Sequence, residues 1–373
     1  MTKIAVFSVS AGAGHVRAAQ AIEASARLHF PEIEIVHIDL MTLVSAPFRK
    51  TYADGYLQVV EHSPTFWGYL YAKTDRRDVD SALNRMRQAV ERLNTRRFKK
   101  WLRENDPDIV ICTHFLPAQL LARDIRKGSF TKPVWVQVTD FDLHGSWIHD
   151  NMTGYLAADE EVAWRMIDRG IPAGTVHVTG IPVMPVFGQP ISRAECAAEL
   201  GLDPARPTIA LMAGSAGVTG IDNLVDRLLP IDERLQVIAL AGRNESLLAS
   251  LRRRAERFPG RLVASGFTTT IERLMAASDV VVTKSGGLTT SECLAMGLPM
   301  IVVSPIPGQE ERNALFLLEH GAALQADDAS ALAFRISRLI REPKTLAALR
   351  RNARSLGKPD AGRHVIETVL AHR

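Results

Sequence analysis

The sequence predicts an α/β protein of two Rossmann-like domains whose parallel sheets face each other across a cleft. Short apolar runs without polar alternation, such as VVVT at 280–283 and MIVVS at 300–304, recur between helical patterns along the chain. Strands of that kind are covered on both faces, as in parallel sheets. The 373 residues exceed what a single core accommodates, so two domains are expected. Pro182, Pro185 and Pro190 interrupt the pattern midway, in GIPVMPVFGQP, and mark a hinge. The expected divisions are residues 1–185, residues 186–358, and a last helix over 359–373 that follows a break at Gly357 to Gly362.

Lys3 to Val9 reads as a buried strand, and Ala11 to Gly14 form a glycine loop that opens a helix running past Ala26, with His15 at its mouth. A dinucleotide fingerprint in this register would place its third glycine at Arg17, where the fold needs a small residue. Asp39, ending the strand IEIVHIDL, is nevertheless the kind of residue that binds ribose in that arrangement, so the dinucleotide reading stays open as a rival. A basic helical segment, Ser81 to Arg103, precedes the strand Asp108 to Thr113, which ends beside His114 and Phe115. The strand Val134 to Thr139 leads into DFD, and Asp140 and Asp142 have the D-x-D spacing of a metal site. Two carboxylates after a strand are more often loop or cap residues, and no third ligand is placed for a metal. Gly154 to Ala157, the helix Glu160 to Arg169 and the strand Thr175 to Thr179 complete the first half.

A short helix near Arg193 to Leu200 leads to the strand Pro207 to Met212 and the loop AGSAGVTG, followed by the strand-and-loop units LQVIALAGRN and RLVASGF. In the stretch Val280 to Ala314, Ser285, Gly286 and Gly287 turn a strand into a helix. That turn aims free N–H groups and the positive end of the helix dipole at whatever lies there, an arrangement that attracts phosphate. The helix is expected to reach Met296 and stop at Gly297, which puts Glu292 within reach of a ribose when phosphate sits at the helix end. Gln309 and Glu310 follow the next strand, at the carboxyl edge where open α/β sheets bind ligands. Beyond Ala323 the chain reads as helical.

Hydrophobic content of 46%, charged content of 23% and a net charge of +4 are those of an ordinary globular chain and do not by themselves imply nucleic acid. Cys112, Cys196 and Cys293 show neither paired nor metal-ligand spacing, which fits a reducing compartment. The N-terminus reads as a mature strand–loop–helix start rather than a signal peptide. No apolar run is long enough to span a bilayer, so membrane contact is expected to be peripheral. Charge is uneven: Val44 to Arg103 holds thirteen Lys or Arg against six Asp or Glu, with four of the five tyrosines and also Phe48, Phe66, Trp67, Phe98 and Trp101.

SGGLTTSE, the following GLP-strand and GQEERNA resemble the donor site of the glycosyltransferase family that contains monogalactosyldiacylglycerol synthases and processive diacylglycerol glucosyltransferases. The transferase that adds N-acetylglucosamine in peptidoglycan synthesis is a more distant likeness. AGAGHVRAAQAI resembles the GGGH loop that opens the lipid glycosyltransferases, and the resemblance covers nearly the whole chain, most densely Gly266 to Ala323. It implies the GT-B fold, with the last helix crossing back onto the first domain, and a UDP-sugar donor with no separate cofactor. Glu292 would then bind the ribose, Gly286, Gly287 and Thr289 face the diphosphate with Ser215 opposite, Phe267 lie near the nucleobase, and Gln309 and Glu310 meet the sugar. The implied reaction is inverting transfer of a hexose to a lipid hydroxyl, most readily that of diacylglycerol, in glycolipid biosynthesis.

Such a reaction needs a general base for the acceptor and stabilised charge on the leaving diphosphate. Helix ends supply the second without a metal. His15 is the base candidate, because imidazole titrates near neutral pH, and Asp140 either takes that role or orients the imidazole. A lipid acceptor also calls for a docking surface. Phe66 and Trp67 are expected to enter the headgroup region while Arg76 and Arg77, with Arg96, Arg97, Lys99 and Lys100, face anionic lipid, on the cytoplasmic side of the cell membrane. The rivals are a transferase for a polyprenyl-linked or soluble acceptor, and a nucleotide-binding oxidoreductase or sensor.

Overall fold

The computed structural model describes residues 1–10, 12–50, 68, 69, 71, 73, 75, 96–212 and 220–372. Phe66, Trp67, Arg76, Arg77, Ser215 and residues 81–95 of the expected basic helix lie outside the described residues. The chain forms two compact units, one of Met1–Pro185, Pro307–Gln309 and Lys358–Arg373, the other of Val186–Ile306 and Glu310–Gly357.

The first unit contains, in chain order, β1 (Lys3–Ser8), α1 (Gly14–His29), β2 (Glu34–Asp39), α2 (Arg96–Asn105), β3 (Ile109–Cys112), α3 (Phe115–Arg126), β4 (Val134–Gln137), β5 (Gly154–Ala157), α4 (Glu160–Asp168) and β6 (Val176–Val178). The strands make one parallel sheet in the order β2-β1-β3-β4-β5-β6. Both faces are covered, which is why β3, β4 and β5 are buried at every position. Ala19, Ile22 and Ala26 on α1 recur at helical spacing and pack on Ile4, Val6 and Ile111. Winding reverses between β1 and β3, so the loops leaving their carboxyl ends diverge and open a crevice there.

The second unit holds α5 (Arg193–Glu199), β7 (Thr208–Met212), α6 (Ile221–Leu228), β8 (Gln236–Gly242), α7 (Glu245–Ala255), β9 (Leu262–Gly266), α8 (Ile271–Ala276), β10 (Val280–Thr283), α9 (Gly287–Ala295), β11 (Met300–Val303), α10 (Gln309–Glu319), β12 (Ala323–Ala326), α11 (Ala329–Arg341) and α12 (Pro343–Leu356). Its parallel sheet runs β12-β11-β10-β7-β8-β9, with the reversal between β7 and β10. One prediction is corrected here: the chain does not turn helical directly after Ala323. ALQA carries no β-branched residue, yet it is an edge strand because its backbone completes the ladder with β11.

The last helix, α13 (Ala361–Ala371), belongs to the first unit. Val365, Ile366 and Val369 are fully buried in the cluster formed by β1, β3 and α1. At Gly362, a Cβ would come within 2.9 Å of the Ser25 Cβ and 3.2 Å of the Ala21 carbonyl oxygen, so the absence of a side chain sets the distance between α13 and α1.

Candidate active site

In the first unit the side chains of interest stand at the carboxyl ends of β1, β3 and β4. His15 is the second residue of α1, just past β1. Its Nδ1 lies 2.9 Å from the Thr113 carbonyl oxygen and 3.0 Å from Thr139 Oγ1. Thr113 also donates its hydroxyl to the His15 carbonyl at 2.9 Å, so one residue holds both the ring and the backbone of the histidine. His114 follows β3 and caps α3, its Nδ1 accepting the Leu116 N–H at 3.0 Å. The two imidazoles meet edge to face with centroids 4.6 Å apart, and Trp147 lies 6.0 Å from His15.

This setting corrects the premise that His15 titrates near neutrality. Burial lowers its pKa to about 4, although the hydrogen bond to the Thr113 carbonyl works in the opposite direction. Burial, and then the nearby His15, push His114 further down. Both rings are therefore neutral at physiological pH, and His15 is ready to accept a proton. On its Nδ1 side His15 meets the Thr113 carbonyl and the Thr139 hydroxyl.

Asp140 follows Thr139 and is half-buried. Asp142, its D-x-D companion, is buried and forms an ion pair of 3.3 Å with Arg165 of α4. Among the described residues no group of three or more His, Cys, Asp or Glu is placed to hold a metal ion. Asp39, on which the dinucleotide rival rests, accepts the N–H groups of Ser10 and Met41 through one carboxylate oxygen.

In the second unit the turn after β10 is tied to the start of α10. Ser285 donates its hydroxyl to the Glu310 carbonyl oxygen at 2.6 Å, and Asn313 donates its amide to the Ser285 carbonyl at 2.9 Å. Ser285 and Asn313 are completely buried, so the mouth of α9 is held from behind. Gly286 is the N-cap of α9 with φ −62° and ψ 139°, a conformation open to any residue, and no side chain caps the helix. A Cβ on Gly286 would meet nothing nearer than Glu310 Oε1 at 3.8 Å. Neither backbone nor packing therefore requires glycine, which instead leaves the helix end open to a ligand.

Glu292 lies on α9 and is buried, a costly position for a carboxylate and a common mark of a functional one. Thr289 is half-buried on the first turn. Burial raises the pKa of Glu310, while a 2.7 Å bond from the Ile306 N–H and the charge of Lys284 oppose the rise. Gln309 begins α10 and groups with the first unit. At the end of β9, Phe267 is 61% exposed with the Arg243 guanidinium 4.2 Å over its ring, so an aromatic face stands at this edge of the sheet.

Sequence reading missed Asn313, Thr139 and Arg243 as site-building residues. Asn313 had a usable signal, since it shares the apolar face of α10 with Phe316 and Leu317, and an amide on a buried face needs an internal partner. Thr139 and Arg243 had none, because their partners lie 124 residues and one strand away, respectively.

Parts of the basic and aromatic segment Val44 to Arg103 fall within the described residues. Tyr69 is 61% exposed with Lys73 beside its ring. Tyr71 lies 4.3 Å from the His144 ring, and Lys99 pairs with Asp124 at 2.6 Å. Phe98 is buried, while Arg96, Arg97 and Lys100 are exposed on α2. Among the described residues no helix is long and apolar enough to cross a membrane.

Residues 15–183 match the monogalactosyldiacylglycerol (MGDG) synthase family, and residues 208–365 match the glycosyltransferase family 28 C-terminal domain. The processive diacylglycerol beta-glucosyltransferase of Bacillus subtilis (strain 168) is 26% identical over 373 residues, covering 99% of this chain and 94% of that protein. Its namesake in Bacillus mycoides (strain KBAB4) is 31% identical over 277 residues, 74% of this chain and 71% of the relative. Among solved structures, Acinetobacter baumannii MurG aligns over 100% of both chains with a TM-score of 0.55 at 17% identity.

Proposed function

We propose that this chain, which belongs to the family of monogalactosyldiacylglycerol synthases and processive diacylglycerol glucosyltransferases, transfers a hexose from its UDP derivative to the hydroxyl of diacylglycerol with inversion. It is a glycosyltransferase with a GT-B fold. The observation that carries the donor side is the open N-terminus of α9, held by Ser285 and Asn313 and left uncovered at Gly286. There the diphosphate would meet free N–H groups, with Glu292 toward the ribose, Phe267 toward the base, Gln309 and Glu310 toward the sugar, and Thr289 and Ser215 toward phosphate. Glucose is the first sugar to test, since it is the one in the relatives' names.

On the acceptor side, Nε2 of neutral His15 takes the proton as the hydroxyl oxygen attacks, and the bond from the sugar to UDP breaks with its electrons leaving on phosphate. Inversion follows from a single displacement. The reaction uses no metal or other cofactor in this reading, because the helix end supplies the stabilisation of charge. The enzyme works at the cytoplasmic face of the membrane, held by the basic and aromatic segment Val44 to Arg103.

The test is incubation with UDP-glucose, UDP-galactose or UDP-N-acetylglucosamine and liposomes containing diacylglycerol, with and without a chelator, followed by mass spectrometry of the lipids. A hexosyl-diacylglycerol formed in both arms supports the reading. UDP release only with a soluble or polyprenyl-linked acceptor would replace the lipid, and absence of any UDP release would remove the transferase.

A further inference from the structure

The strongest unassigned feature is the pair of oxygens that meet His15 at Nδ1. A carbonyl oxygen can only accept a hydrogen bond, so the 2.9 Å contact with Thr113 requires the proton to be on Nδ1. The Thr139 hydroxyl, 3.0 Å from the same nitrogen, then meets that hydrogen as a second acceptor. Both threonines are buried at the ends of neighbouring strands, Thr113 after β3 and Thr139 after β4, so the two acceptors are fixed by the sheet rather than by a loop.

We propose that Thr139 is a positioning residue for the transfer reaction: with the Thr113 carbonyl it holds His15 as the Nδ1–H tautomer, which leaves Nε2 as the nitrogen that receives the acceptor proton. The inference rests on the reading of His15 as the base. In the step itself the acceptor O–H bond breaks and its proton moves to Nε2, while the oxygen forms the bond to the sugar carbon and UDP departs with the electron pair. The ring then carries a positive charge in a buried setting that disfavours it, and two oxygens on Nδ1–H share that charge. Triads assign this role to a carboxylate; here neutral acceptors serve, and they add no charge to the buried site.

The experiment is a double-mutant cycle on the full chain with Thr139→Val, Thr139→Ser, His15→Ala and the Thr139→Val/His15→Ala pair, read as kcat and KM for the UDP-sugar. Thr139→Val should lower kcat roughly tenfold with KM unchanged, Thr139→Ser should restore most of the loss, and Thr139→Val should cost nothing further once His15 is Ala. A nitrogen-15 NMR spectrum of wild-type protein labelled at histidine should show His15 protonated on Nδ1. The inference is overturned by an Nε2–H tautomer, by equal losses with and without His15, or by a serine variant as impaired as the valine one. Should Thr139→Val fail to fold, the wild-type spectrum and Thr139→Ser still decide. Full turnover in His15→Ala would instead remove the base reading itself, a result distinct from any that sinks Thr139 alone.

Discussion

His15 and Gly286 carry the two sharpest predictions at the scale of single residues. Because burial lowers the His15 pKa to about 4, the imidazole is unprotonated and able to accept a proton at any pH above that value. The kcat/KM of UDP release should therefore stay level from pH 7 down to about 5 and fall only as the pH approaches 4. An acid limb near 6.5, the ordinary value for histidine, would show that the base is another group. Gly286→Ala separates binding from folding. The added methyl is at ordinary contact distance from its nearest neighbour, so the melting temperature should stay within a few degrees of the parent's. Yet the methyl would stand where a diphosphate approaches the helix end, and UDP affinity measured by calorimetry should fall by roughly tenfold or more. Unchanged affinity would move the phosphate away from α9.

Between elements, the contact of α13 with α1 depends on one missing side chain. Gly362→Val would press branched carbons against Ser25 and the Ala21 carbonyl, atoms that belong to the helix backbone or stand rigidly on it. Overpacking of this kind costs about 1 to 3 kcal/mol. Urea unfolding should show that loss as a lower midpoint, with Gly362→Ala showing a smaller one. A valine variant as stable as the parent would mean that α13 does not pack as described. The same helix contributes three buried aliphatic side chains to the first core, each of them worth about 1.5 to 3 kcal/mol relative to exposure. A segment that begins at Lys358, 173 residues beyond Pro185, is thus part of the first unit's core.

For the whole molecule, the uneven charge is the property that reaches beyond the site. The basic and aromatic stretch Val44 to Arg103 should bind liposomes containing anionic lipid, and binding should weaken as salt rises because screening shortens the range of attraction. Each basic residue near such a surface adds about 1 kcal/mol, so three or four of them should suffice for docking. Replacing Phe66 and Trp67 with Ser should reduce both co-sedimentation and lipid glycosylation, with UDP affinity unchanged. A double variant that sediments as well as the parent would place the docking surface elsewhere.

The sequence by itself determined what depends on neighbours along the chain. Nearly all the strands were legible from apolar runs, the helix start at Gly286 from its glycines, and the family from motifs whose order and spacing agree. Asp142 was legible only as one of two carboxylates after a strand, and its ion pair with Arg165 depends on the fold. The edge strand β12 was not legible, because ALQA has no local preference for extension and is held by a ladder to β11. The pKa of His15 was not legible either, since the atoms that exclude water from the ring come from β3, β4 and the loop of Trp147. The burial of Glu292 and the link from Asn313 to Ser285 belong to the same class. Only the tertiary structure decided these, because desolvation and hydrogen bonding depend on which distant atoms are brought within a few ångströms, and that is a property of the packed chain.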